Sequence, residues 1–117
     1  MKLEFDHIGL VTDEKKEGEN WIKDTRVWVT DPNVHPFHVE WLRYEPDSPV
    51  KGPLRECPHI SFVVSSIKEA SKGLKQLLEP FEVGGFAIVA FYQYHDGTVV
   101  EFMEYLDKSR EWFPDKK

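Results

Sequence analysis

A chain of 117 residues, 40% hydrophobic and 31% charged, suits one compact domain and leaves little room for a second. A net charge of −6 with no Lys/Arg-rich stripe argues against a nucleic-acid partner, because a polyphosphate would be repelled. One cysteine, Cys57, excludes an intramolecular disulfide. No stretch approaches the roughly 20 apolar residues of a membrane span, and the N-terminus lacks a signal-peptide run. A soluble, cytoplasmic protein is therefore expected, its 14% aromatic content supplying a core without disulfide staples.

Residues 5–12 (FDHIGLVT) are β-rich and predict a strand with Phe5, His7, Gly9 and Val11 on one face. The polar run 13–20 (DEKKEGEN) has no apolar stripe and predicts a loop. Residues 21–30 predict a second strand, closed by the turn signal Asp31-Pro32-Asn33. Residues 37–44 (FHVEWLRY) predict a third, with His38, Glu40 and Leu42 sharing a face. The proline-rich stretch 45–53 reads as a linker.

Beyond it, residues 59–65 predict a strand. Ser66 and Glu69 form a capping-box pattern, and Ile67, Ala70, Leu74, Leu77 and Leu78 fall on a helical stripe that predicts a helix ending before Pro80. Residues 86–94 and 98–105 predict two strands joined by the hairpin signal His95-Asp96-Gly97. The tail 107–117 is charged, with Trp112 and Phe113 expected to pack.

The chain repeats itself. Each half opens on a strand with an early histidine, FDHIGLV and then PHISFVV, and closes on a strand with a central glutamate, HVEWLRY and then VVEFMEY. His7 and Glu40 are 33 residues apart, and His59 and Glu101 are 42 apart. The shortfall of the first half is about what a missing helix accounts for.

Two imidazoles and two carboxylates form a mixed N/O donor set, suited to Zn²⁺, Ni²⁺, Co²⁺, Mn²⁺ or Fe²⁺ rather than Ca²⁺. Either His38 or Glu40 could point into a cavity. Cys57 shares the His59 face, and Trp41, Tyr92 and Tyr94 could line a pocket, although aromatic strand residues commonly belong to a core.

The phrases FDHIGLVT, PHISFVVSSIKEA and DGTVVEFME, in this order over roughly residues 3–105, resemble the vicinal oxygen chelate superfamily of glyoxalases, bleomycin-resistance proteins and extradiol dioxygenases. The resemblance implies an α+β fold of two βαβββ-type modules forming a curved, incomplete barrel. The first module is shortened, its helix missing or vestigial. A single domain would span 1–117, with module one at about 1–48, the linker at 45–53, module two at about 56–106 and the tail at 107–117. The resemblance implies one divalent metal ion held by His7, Glu40, His59 and Glu101, with Glu101 or Glu40 as a catalytic base. It also implies a homodimer.

Such a site predicts an isomerase, epimerase or lyase acting on a small oxygenated carbonyl compound through a stabilised enolate. The alternatives are a non-catalytic small-molecule-binding protein of the resistance type, or an Fe-dependent dioxygenase using His7, His59 and Glu101.

Overall fold

A computed structural model describes residues 2–114. They form one eight-stranded sheet built from β1 (Glu4–Val11), β2 (Asn20–Ile22), β3 (Val27–Val29), β4 (Val39–Tyr44), β5 (His59–Val63), β6 (Lys75–Val83), β7 (Ala87–Gln93) and β8 (Val99–Tyr105), in the spatial order β2-β3-β4-β1-β5-β8-β7-β6. In each half the first strand lies parallel to the last, β1 beside β4 and β5 beside β8. The two halves meet where β1 and β5 pair antiparallel. This duplicated order is an α+β arrangement of two strand modules forming one curled sheet, with the first half shortened.

Alternation along the strands separates two faces. On the inner face Val27, Val29 and Leu42 of the first half share one core cluster with Val83, Val89, Phe91 and Met103 of the second. Strands from opposite ends of the sheet reach the same core only because the sheet curls. On the outer face of the second half, Ala90, Tyr92, Val100 and Phe102 pack with Ile67 of the one-turn helix α2 (Ile67–Ala70).

The first half has no helix between β1 and β2. Aromatic and charged side chains cover that face instead. Trp21 and Trp28 pack with tilted rings 4.9 Å apart, Lys16 sits over the Trp41 ring, and Glu19 grips Arg43 at 2.7 and 2.8 Å. No helix among the described residues is long and apolar enough to cross a membrane.

Several elements differ from the sequence reading. The single strand predicted over 21–30 is a tight hairpin, β2 and β3, turning through Arg26 at φ 50°. The strand predicted from residue 37 starts at Val39, because His38 takes a left-handed φ of 55°. Stretch 45–53 runs into a one-turn helix, α1 (Pro53–Glu56), which begins on its last proline.

The largest correction concerns the helix predicted up to Pro80. The Ser66 hydroxyl does accept from the Glu69 N–H at 3.1 Å, but the helix stops after one turn, and Gly73 turns the chain at φ 79°. Leu77 and Leu78 join β6, whose register breaks twice between Gln76 and Phe81, while Leu74 lies just ahead of that strand. Pairing with β7 supplies backbone partners that outweigh the local helical stripe. Pro80 is accommodated because β6 is an edge strand with bulges.

Candidate metal centre

Strand register brings the four repeat residues to one point. Glu40 pairs with Gly9, two residues past His7, and Glu101 pairs with Ser61, two residues past His59. At the seam His7 pairs with Ser61 and Gly9 with His59. Exchanging the halves leaves this pattern unchanged. Directly paired residues share a face, so all four side chains project from the inner face about one pseudo-twofold axis.

All four are buried. His7 Nε2 lies 3.2 Å from Glu40 Oε1 and 3.1 Å from Glu101 Oε1; His59 Nε2 lies 3.6 and 3.3 Å from the same two atoms. One donor atom from each residue lies within 4.8 Å of every other. Donors about 2.1 Å from a common ion sit about 3.0 to 3.4 Å apart in octahedral or tetrahedral spheres, so the observed edges suit a divalent metal. Both Nε2 atoms and Glu101 Oε1 are buried without a well-formed hydrogen bond. Such groups are costly unless something else engages them. The residues fit a metal ion.

Each histidine is aimed by its own device. Between Phe5 and His7 the register with β5 slips by one, making Asp6 a bulged extra residue. In a regular strand Asp6 and His7 would point to opposite faces; the bulge lets Asp6 Oδ1 reach His7 Nδ1 at 2.6 Å. The His59 ring instead fills the space above Gly9, where an added Cβ would lie 2.0 Å from its Cε1 atom. Trp112 stands edge-on to His7 at 5.2 Å, and Phe91 stands edge-on to His59 at the same distance.

Charge follows geometry. Burial pushes the His7 imidazole down, but the carboxylates of Asp6, Glu101 and Glu40 outweigh it and hold its pKa well above the ordinary value. Burial pushes the Glu101 carboxyl up, yet the two imidazoles beside it win and hold it at about 2. Without a metal these shifts favour a charged His7 imidazolium beside the Glu101 carboxylate.

Glu40 and Glu101 line an otherwise mainly apolar cavity of about 30 Å³, walled by residues including Leu54, Leu78, Phe81, Phe91, Met103 and Trp112. The histidines stand behind the carboxylates and do not line it. Tyr44 does, its phenol pushed well up by burial and by Glu40 and Glu101, so it stays a neutral donor.

No family model matches the chain, and no curated protein matches it. Among solved structures it is similar to a crystal structure of a glyoxalase family protein from Bacillus cereus, at 14% identity over 92% of this chain and 97% of that one, with a TM-score of 0.39. That likeness is distant, whereas the duplicated strand order and register are seen in the chain itself.

The other pocket candidates from sequence lie elsewhere. His38 is exposed ahead of β4, and its carbonyl accepts from the Ile8 N–H. Cys57 caps α1 and packs half-buried against the core. Trp41 and Tyr92 point to the outer face, and Tyr94 is 46% exposed. Strand parity accounts for Trp41 and Tyr92. Tyr44 shares a face with Glu40, and Phe91 pairs directly with Glu101, whereas Tyr92 is one residue out of phase. Ser61, fully buried with an unpartnered hydroxyl opposite both His7 and Glu101, was also missed. Its position two residues after His59 was the available signal.

Proposed function

We propose that this chain is a divalent-metal-dependent isomerase, epimerase or lyase that removes an α-proton from a small oxygenated carbonyl compound, working as a homodimer. The reading is carried by the convergence of four buried donors at ligand-like spacing beside an apolar cavity. A bound Zn²⁺, Ni²⁺, Co²⁺, Mn²⁺ or Fe²⁺ would supply positive charge against the charge gathering on a carbonyl oxygen as the α-proton leaves.

The protein's own groups divide the remaining work. Only the carboxylates of the quartet reach the cavity, so Glu40 or Glu101 takes and holds the proton. Tyr44, kept protonated, can donate to a substrate oxygen. Apolar walls exclude water, which strengthens every charge interaction inside. The mainly apolar lining favours a substrate whose non-oxygenated part is apolar.

Metal analysis of protein purified without chelator tests the site first. About one divalent ion per chain is expected, and His59→Ala should lose it. A protein that contains no ion and takes up none of the five metals would sink the reading and leave small-molecule binding in its place. Deuterium incorporation from heavy water at the α-carbon of small hydroxy- and oxo-carbonyl compounds then tests the chemistry. Oxygen consumption during turnover would point to a dioxygenase instead.

A further inference from the structure

Outside the quartet, a half-buried hydrogen-bond chain runs from the C-terminal segment to a ligand candidate. Trp112 Nε1 donates to the Tyr105 hydroxyl at 2.8 Å, Tyr105 donates to Asp6 Oδ2 at 2.8 Å, and Asp6 Oδ1 meets His7 Nδ1 at 2.6 Å. We propose that Asp6, Tyr105 and Trp112 are positioning residues that fix His7 for coordination through Nε2, making metal affinity depend on the C-terminal segment. This rests on the metal reading above.

The chemistry of each group gives the chain one direction. An indole N–H can only donate, so the tyrosine oxygen must accept it and spend its own proton on Asp6. An ionised Asp6 can only accept, so His7 Nδ1 carries a proton. With Nδ1 keeping its proton, the proton that a metal would displace is the one on Nε2, the atom that faces Glu40 and Glu101, where an ion would sit. A carboxylate or carbonyl behind a ligating histidine characteristically fixes its tautomer and orientation and raises its basicity.

The tail holds this chain in place through a second contact. Arg110 pairs with Glu4 at the start of β1 and lies 5.6 Å from the centre of the Tyr105 ring. The Trp112 ring itself closes against His7. His59 has nothing comparable beside it in sequence, since Pro58 occupies the position matching Asp6. The C-terminal segment therefore acts on one histidine of the pair.

The test is a Ni²⁺ titration of metal-free full chain, comparing the parent with Asp6→Asn, Tyr105→Phe and Trp112→Phe, with thermal unfolding of each metal-free protein alongside. Asp6→Asn should weaken affinity about 10–100-fold. Tyr105→Phe and Trp112→Phe should weaken it less, in that order, and the visible spectrum of Co²⁺-loaded Tyr105→Phe should differ from the parent's. Lower stability with unchanged Ni²⁺ affinity and Co²⁺ spectrum would show a merely structural chain and overturn the proposal. If Asp6→Asn does not fold, Tyr105→Phe decides. A parent protein that binds no ion removes both this proposal and the metal reading; a parent that binds while all three variants bind equally removes this proposal alone.

Discussion

The two halves of the sheet present the same pair of ligand candidates with different supports. In the first half His7 is held by charge, through a bulged Asp6 and the tyrosine behind it. In the second half His59 is held by shape, between the bare backbone of Gly9 and the edge of Phe91. Away from the seam the halves diverge further. One has three-residue strands and a cover of tryptophans; the other has long strands and a helical turn. The shared part is the first and last strand of each half with their matched register. Placement of the quartet thus depends on that register, and the outer strands are free to vary.

Gly9 and Ser61 occupy equivalent places in the two halves, which makes them the sharpest test of this contrast. Gly9→Ala should have the largest effect, since β1 is paired on both sides and cannot retreat from the His59 ring. We expect metal content to collapse and metal-free stability to fall by about 1–3 kcal/mol in denaturant unfolding. Retained metal at parental affinity would show that shape does not hold His59.

The next effect is on pH dependence, read by unfolding the metal-free protein across pH. Glu101, held at about 2 against an ordinary 4.5, contributes stability above about pH 4.5 that is lost as pH falls towards 2. His7, raised well above 6.5, contributes stability that is complete below that value and lost as pH rises through its folded pKa. These two groups place the metal-free optimum between roughly pH 4.5 and 6.5. Adding metal should move the optimum upward, because coordination requires a neutral imidazole. An optimum that ignores metal would contradict this.

Ser61→Ala comes third. It removes a buried hydroxyl that lacks a partner, so metal-free stability should change by less than about 1 kcal/mol, against the large loss at Gly9. The smallest effect belongs to His38→Gly. Relief of the left-handed backbone should offset the lost side chain to within about 1 kcal/mol, and metal content should not move.

The quartet was legible because a strand's period of two and a chain's internal repeat both survive in the letters. His7 with Glu40, and His59 with Glu101, needed only matching order in the two halves. What the letters hid was set by distant pairing. Leu77 and Leu78 satisfy a helical stripe, but β7 recruits them into β6, a contact no local window contains. The bulge at Asp6 looks like ordinary strand sequence, although it decides where a carboxylate points. Trp112 was expected to pack somewhere, and only the fold shows that it packs against His7.

The antiparallel seam between β1 and β5 also carries a thermodynamic consequence. Each half contributes one imidazole and one carboxylate, so an ion engaged by all four would bridge the halves and bind only when the seam is closed. Such a ligand adds its binding free energy to folding, about 2.7 kcal/mol when free metal stands at 100 times its dissociation constant. The closed seam and the loaded ion would then be linked states, and the melting temperature would report free metal concentration.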